Sequence, residues 1–269
     1  MMRANSERFL IMHPEISRAI ELVREKNWSI EQLYMFWWSG ISTDGKRIEI
    51  SQNLHDPILS KRVLIDGHSF VFSIATKVVS VEAGEFVDLD EKKSLIIRKS
   101  TWSSEWWNWM QTSHLRIYPP QKIMRFYIPS PLGDLSAMAA QIIDSLELAY
   151  LPAILKFRRQ HGIFSDAIVV WVDEDTLQES LELIGKLASL SQFSTKPPPL
   201  TKVFNGIGIS DHPQTGESLG WLFCKLIWTA SKANSLFDLE IRFNELELNI
   251  EKPWLIGRKL HHNNWESLL

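Results

Sequence analysis

Four side chains suited to binding an anion or moving a proton alternate with apolar residues in two short segments, 122–128 and 153–158. They are Arg125, Tyr127, Lys156 and Arg158. Alternate side chains of a β-strand point to opposite faces of its sheet. If the apolar positions of both strands meet covering helices, these four side chains share the other face. A phosphate or carboxylate ligand requires such cations, although an ordinary solvated basic face would give the same pattern.

Lys156 stands between two large apolar residues, Leu155 and Phe157. This position predicts partial burial of its side chain. Burial disfavours the charged ammonium and lowers the pKa of a lysine. A neutral amine of this kind can serve as a base or as a nucleophile.

The stretch 201–220 is unusually rich in residues that form turns, and it precedes an apolar segment typical of a helix. The turn-forming residues are Gly206, Gly208, Pro213, Gly216 and Gly220. A long glycine-rich loop is often functional, but a plain surface turn explains the same composition. His212, within this stretch, is a candidate acid or a turn residue. The chain contains no dinucleotide-binding fingerprint, P-loop or Gly-x-Ser-x-Gly elbow.

Two other clusters give little support for a metal site. Three acids, Asp173, Glu174 and Asp175, stand at a predicted helix start, where capping and the helix dipole explain them better than a metal does. The pair His261 and His262 has no third ligand at a suitable spacing. We therefore expect no bound metal.

The composition indicates a folded protein with a sizeable core. The 269 residues are 45% hydrophobic and carry a formal charge of −3, which gives no reason to expect nucleic-acid binding. The single cysteine, Cys224, excludes an internal disulfide and suits a reducing compartment. The apolar runs are too short to cross a bilayer, and the N-terminus lacks a secretory signal core. We expect a cytoplasmic protein without membrane or nucleic-acid partners.

The order of elements predicts an α+β fold in two regions. Residues 1–118 combine a helical N-terminus, with a capping box at 29–32, and a β-rich middle. Residues 119–269 show a split β-α-β-β-α-β pattern, in which both helices cover one face of the sheet and leave the other face open. The predicted strands are 122–128, 153–158, 166–172 and 201–204, and the predicted helices are 134–150 and 173–190.

Twelve tryptophans are present, and several fall in two clusters, at 37–38 and 102–109. Aromatic clusters can form a partner surface. More commonly they pack elements together, and the sequence leaves both interpretations open.

An ordered set of short motifs in the second region resembles the HopA-type effector family of plant pathogens. It also resembles the lyase-like relatives of that family in class V lanthipeptide and thioamitide biosynthesis. The similarity covers roughly residues 122–258. Its motifs lie at 125–127, 155–157, 165–171, 201–202, 206–213, 217–220 and 252–255.

The resemblance implies an α+β fold and, for the biosynthetic members, elimination of phosphate from serine or threonine residues that a partner kinase has phosphorylated. This reaction needs a base for the Cα proton, cations for the phosphate and an acid for the leaving oxygen. On the resemblance, Lys156 is the base, Arg125 and Lys202 bind the phosphate, and Arg158 is a secondary cation. Tyr127 or His212 would assist the leaving group. No metal or organic cofactor is required.

The sequence departs from the family pattern at 221–223, where Trp221, Leu222 and Phe223 replace polar or basic residues. Loss of an arginine at 223 would weaken phosphate binding by roughly 1.5–3 kcal/mol. A catalytically degenerate module that binds a peptide or partner is therefore the alternative, and it predicts an exposed aromatic patch. A third possibility is small-molecule chemistry in a deep apolar pocket beside Lys156.

Overall fold

The structure is a computed structural model. It describes residues 12–41, 49–50, 64–65, 70–74, 77–81, 85–89, 95–99, 107–112, 123–158, 160–213, 218–233, 236–256 and 265–269.

The N-terminal helices are followed by a run of short strands, and helices and strands are interspersed in the rest of the described chain. The helices are α1 (Pro14–Lys26), α2 (Ile30–Leu33), α3 (Leu135–Leu148), α4 (Leu177–Ser189), α5 (Leu219–Ala233) and α6 (Leu236–Glu245). A π-helical turn (Tyr34–Trp38) continues α2, and 3-10 turns lie at Glu174–Thr176 and Trp265–Leu268. The first seven strands are β1 (Glu49–Ile50), β2 (Leu64–Ile65), β3 (Phe70–Ile74), β4 (Lys77–Val81), β5 (Glu85–Leu89), β6 (Leu95–Lys99) and β7 (Trp107–Gln111). The remaining six are β8 (Ile123–Ile128), β9 (Ala153–Arg158), β10 (Gln160–His161), β11 (Ile168–Asp173), β12 (Lys202–Phe204) and β13 (Ile207–Asp211).

A seven-stranded antiparallel sheet organises the molecule, in the order β12-β13-β8-β11-β9-β7-β2. Four of its strands, β13, β8, β11 and β9, form a split arrangement together with α3 and α4, which confirms the α+β class. Strand β7, from the first predicted region, extends this sheet by pairing with β9.

The fourth strand of the split arrangement differs from the prediction. The segment 201–204 forms the edge strand β12, whereas β13, within the stretch interpreted as a glycine loop, pairs with β8. Asn205 and Gly206 join the two strands with φ of 47° and 82°. A two-residue turn with positive φ at both positions suits the twist of an antiparallel hairpin, and Asn-Gly is its commonest sequence.

Each face of the sheet is covered by helices. Helices α3 and α4 cover one face, with Met124, Phe126, Leu155 and Phe157 among its buried residues. The other face, predicted to be open, is covered by the π-helical turn and α5, which share a buried cluster with Tyr127 and Val169, and α1 packs on α5. The N-terminal helices therefore complete the layer that the sequence left exposed.

Local signals in the sequence explain the N-terminal helices. The Ser29 hydroxyl accepts a hydrogen bond from the Gln32 amide at 3.2 Å, and the Gln32 side chain accepts one from the Ser29 amide at 2.9 Å. This reciprocal pair is the predicted capping box. Among the helices that the structure describes, none is long and apolar enough to cross a membrane.

The acidic triplet Asp173–Asp175 lies at the end of β11 and in the 3-10 turn that leads into α4. This is the helix-start position that the sequence indicated. No group of three potential metal ligands occurs within the described ranges. His261 and His262 lie outside those ranges.

Candidate functional site

Strand register brings the predicted cations to one face of the sheet. Arg125 of β8 lies opposite Ser210 and Trp171, and Lys156 of β9 lies opposite Val169. The sequence suggested that the strands of Arg125 and Lys156 are neighbours, but β11 lies between β8 and β9. Their long side chains nevertheless reach a common pocket above β11.

The pocket lies between the sheet, the π-helical turn and the start of α5. Its lining residues are Tyr34, Trp38, Arg125, Tyr127, Lys156, Asp166, Val169, Trp171, Ser218, Leu219 and Gly220. Three of the six predicted site residues are among them: Arg125, Tyr127 and Lys156. The roof comes from N-terminal residues to which sequence reasoning gave no role.

Arg125 is a buried cation, with only 3% of its surface exposed. Its Nη1 donates a long hydrogen bond of 3.5 Å to the Tyr127 hydroxyl, and its guanidinium lies 5.4 Å from the Trp171 ring. Its Nε has no hydrogen-bond partner, and no carboxylate among the described residues pairs with it. Because a guanidinium stays charged and a buried unpaired charge is costly, this arrangement suits an incoming anion.

Lys156 lies on the same face, with its ammonium 4.0 Å from the Trp107 ring. Burial lowers the pKa of Lys156 to about 7, and the charge of Arg125 contributes to that shift. Arg158 acts in the same direction, and Asp166 opposes it. A large fraction of this amine is therefore neutral near pH 7 and can accept a proton.

Arg158 is engaged within the protein instead of lining the pocket. Its Nη2 donates to Asp166 Oδ1 at 2.8 Å and to Ser39 Oγ at 3.1 Å, and its guanidinium lies 4.0 Å from the Trp107 ring. Burial by itself lowers the pKa of Arg158, but the contacts with Asp166 and Tyr34 outweigh it and raise that pKa. The structure thus places Arg158 in a buried ion pair.

The start of α5 faces the pocket. Ser218 Oγ accepts a hydrogen bond from the Trp221 amide at 3.2 Å and so satisfies one of the first amides of the helix. A Cβ at Gly220 would collide with the Trp38 ring, so only glycine permits this close approach. The amides and dipole of a helix N-terminus favour an anion.

His212 and Lys202 do not line the pocket. Burial, followed by the charge of Arg125, lowers the pKa of His212 to about 3. His212 is therefore neutral at pH 7 and poorly suited to donate a proton. Lys202 pairs with Ile209, whose side chain lies in the core beneath α3 and α4, and its ammonium lies 5.6 Å from the Trp254 ring. Lys202 thus faces away from Arg125 and Lys156.

The departure at 221–223 does not reach the pocket. Phe223 is fully buried and stacks on Phe243 with ring centroids 5.8 Å apart. The aromatic cluster at 102–109 is described in part: Trp107 is buried under the cations of β9, and Trp102 and Trp106 lie outside the described ranges.

Sequence reasoning did not place Asp166, Tyr34, Trp38 or Ser218 in the site. One signal was available for Asp166, because a carboxylate next to a buried strand needs a nearby cation. Tyr34 and Trp38 reach the site across more than eighty residues of chain, and no local pattern indicates such a contact.

Fold and site together define an α+β protein with a small pocket lined by two cations, Arg125 and Lys156, by the carboxylate of Asp166 and by aromatic and apolar side chains. Two solved structures are similar to it, each described as an effector protein, one from Pseudomonas syringae pv. tomato strain DC3000 and one from Pseudomonas syringae pv. syringae strain 61. The similarity covers 91% of this chain and 96% of each of theirs, with TM-scores of 0.50 and 0.52 and sequence identities of 12% and 13%. At this identity the likeness shows a shared fold. No protein-family model matches the sequence, and no curated protein matches it.

Proposed function

We propose that the protein eliminates phosphate from phosphoserine or phosphothreonine residues of a peptide and leaves dehydroamino acids. The observation that carries the proposal is the pairing in one pocket of Arg125, buried without a described carboxylate partner, with Lys156, whose pKa of about 7 makes it a base. The effector fold and the HopA-type resemblance support it. A partner kinase in the same cytoplasm would supply the phosphorylated peptide.

The elimination assigns one task to each side chain. The neutral Lys156 amine takes the Cα proton and becomes an ammonium. The electron pair of the broken C–H bond forms the Cα–Cβ double bond, and the Cβ–O bond breaks with its electrons leaving on the phosphate oxygen. Tyr127, whose hydroxyl accepts the hydrogen bond from Arg125, is placed to donate its own proton to that oxygen. Of the two proton donors considered from sequence, His212 is the poorer candidate, because its imidazole is not protonated at pH 7 and has no readily released proton.

Arg125 and the start of α5 hold the phosphate. Charge builds up on the phosphate as the Cβ–O bond breaks, and preorganised donors stabilise such charge most strongly in a water-poor site. A phosphate dianion would be attracted by the Arg125 guanidinium and by the ammonium that Lys156 becomes when it takes the proton. Neither step uses a metal or an organic cofactor.

The substrate's own charge affects the base. A bound dianion stabilises the ammonium form of Lys156, so the pKa of Lys156 rises in the complex. We therefore expect the midpoint of the kcat profile at a higher pH than that of kcat/KM, which reports the free enzyme.

The test is mass spectrometry of a library of phosphoserine and phosphothreonine peptides after incubation with the purified protein. Loss of phosphoric acid by the parent, with a decrease of about 10²–10⁴-fold in Lys156→Ala, supports the proposal. Lys196→Ala, which removes an exposed lysine from the stretch before β12, is the matched control. Intact phosphopeptides that co-purify without turnover would instead indicate the catalytically degenerate binding module. If the protein neither turns over nor retains the phosphopeptides, the lyase and the binding module are both refuted.

A further inference from the structure

We infer that Asp166 is a positioning residue that engages Arg158 within the protein and leaves the anion in the pocket to Arg125 and Lys156. The inference rests on the proposed function, because it assigns the cations of the same site. Sequence reasoning placed Arg125, Lys156 and Arg158 on one face and assigned Arg158 to the phosphate as a secondary cation. The structure separates them by their partners.

The first step is the saturation of the Asp166 carboxylate. Oδ1 accepts from Arg158 at 2.8 Å, while Oδ2 accepts from the Tyr34 hydroxyl at 3.3 Å and the Ser39 hydroxyl at 3.4 Å. Asp166 is 2% exposed and Arg158 is 6% exposed. Water screens a buried, hydrogen-bonded pair little, so a substrate phosphate cannot easily displace the carboxylate from Arg158.

The second step is the contrast with Arg125. Arg125 lines the pocket, and among the described residues its side-chain hydrogen bond is the long one to Tyr127. Of the two buried arginines on this face, therefore, one is neutralised by the protein and the other is left for the ligand. Asp166 determines which arginine is neutralised and which stays available to the ligand, because among the described residues it is the carboxylate that lines the pocket.

The third step concerns Lys156. The charged groups acting on it are Arg125 from β8, Arg158 from β9 and Asp166 from the turn before β11. The hydroxyls of Tyr34 and Tyr127 also line its pocket. The negative charge of Asp166 favours the ammonium form and works against the two arginines, so Asp166 limits how far the proton affinity of Lys156 falls. Through Tyr34 and Ser39 the same carboxylate anchors the π-helical turn that forms the roof.

The experiment measures Lys156 directly and does not depend on turnover. The protonation of Lys156 is followed by the ¹³Cε chemical shift in lysine-labelled full-length protein, assigned with Lys156→Met. Asp166→Asn should move the titration midpoint to lower pH by about one unit, the size expected for a charge at this range. Arg158→Gln should move it to higher pH. Because the two charges oppose each other, the double variant should show a smaller acid shift than Asp166→Asn alone.

The double variant also covers the case in which Asp166→Asn fails to fold, because removal of both members of a buried pair leaves no uncompensated charge. An unchanged midpoint in Asp166→Asn, or an acid shift in Arg158→Gln, would overturn the inference. If Asp166 had only a structural role, Asp166→Asn would lower stability, but the titration midpoints of Lys156 in the three variants would not follow this order.

Binding of inorganic phosphate, measured by calorimetry on the same proteins, provides the second readout. Arg125→Gln should lose more than tenfold in affinity, and Arg158→Gln should lose less than threefold. Equal losses in the two variants would show that Arg158 also holds the anion and would contradict the assignment. Because both readouts work without elimination, failure of the lyase hypothesis can be distinguished from failure of this one.

Discussion

The two faces of the central sheet are built from the same strands and are both buried, yet they carry opposite kinds of side chain. On β9, Leu155 and Phe157 are fully buried beneath α3 and α4, whereas Lys156 and Arg158 are 8% and 6% exposed beneath α5 and the N-terminal helices. Burial alone does not distinguish a structural face from a functional one. The distinguishing feature is whether buried charges have partners, because an unpaired charge lowers stability and is retained where a ligand compensates it.

The largest contrast should come from neighbouring residues of β9. Leu155→Ala removes apolar packing from the core face, so we expect a loss of about 2–5 kcal/mol in the free energy of unfolding. Lys156→Met replaces a buried ammonium with an apolar chain of similar length, so stability at pH 6 should stay constant or rise. Urea denaturation of both variants tests this difference in sign. A large loss in Lys156→Met would mean that the lysine stabilises the fold.

The same lysine predicts how stability depends on pH. Its pKa is about 7 in the folded protein, against its ordinary value of 10.5. Between these two values the unfolded chain binds more protons than the folded one, so the contribution of Lys156 to stability rises with pH from about 7 to 10.5. Below pH 7 Lys156 is protonated in both the folded and the unfolded state, and the full free-energy cost of burying its ammonium applies.

Other groups also titrate in this range, so the measurement is the difference between the parent and Lys156→Met in urea denaturation at several pH values. The advantage of the variant should shrink steadily as pH rises. A constant difference across the range would show that Lys156 keeps its ordinary pKa.

The third prediction sharpens the contrast between faces with two cations on opposite sides of the sheet. Arg125→Gln should weaken phosphopeptide binding roughly 10- to 150-fold, the equivalent of a charged hydrogen bond. Lys202→Gln removes a cation from the face of α3 and α4, and it should have a far smaller effect. Equilibrium binding of a labelled phosphopeptide measures both effects. Comparable losses of affinity in the two variants would favour the sequence-based assignment of Lys202 to the phosphate.

The sequence was most informative where a local pattern carries the structural signal. Strand alternation placed Arg125 and Lys156 on one face, and the split arrangement and the capping box at Ser29 are confirmed. Two features required information that is not local. Part of the cover over the cationic face comes from the π-helical turn at Tyr34–Trp38, more than eighty positions before β8, and the pairing of Arg158 with Asp166 depends on how two strand ends meet.

The fourth prediction tests the cover of the cationic face at its closest contact. Gly220→Ala would force its new Cβ against the Trp38 ring, so either α5 or the π-helical turn must shift. We expect a loss of about 1–3 kcal/mol in stability, as for other overpacked sites, together with lower affinity for phosphate. Thermal unfolding and phosphate calorimetry measure the two effects.

Gly220→Ala combined with Trp38→Ala provides the control, because it removes the ring that the new methyl group meets. In the Trp38→Ala background, Gly220→Ala should lower the free energy of unfolding much less than it does in the parent. If the cost stays the same, the contact with Trp38 does not explain it.

The smallest expected effect concerns the hairpin that the sequence should have revealed, since Asn-Gly between two alternating segments is a strong hairpin signal. Gly206 has φ of 82°, and a Cβ there would lie 3.2 Å from the Phe193 ring. Gly206→Ala should therefore cost about 1–2 kcal/mol in the free energy of unfolding. Gly133→Ala, at a glycine with open space around it, should change stability little, as measured by the same urea titration. Strand β13 lies directly beside β8, so a loss in Gly206→Ala that also weakens phosphate binding would show that the hairpin helps to position Arg125. A loss confined to stability would show that the hairpin serves the fold alone.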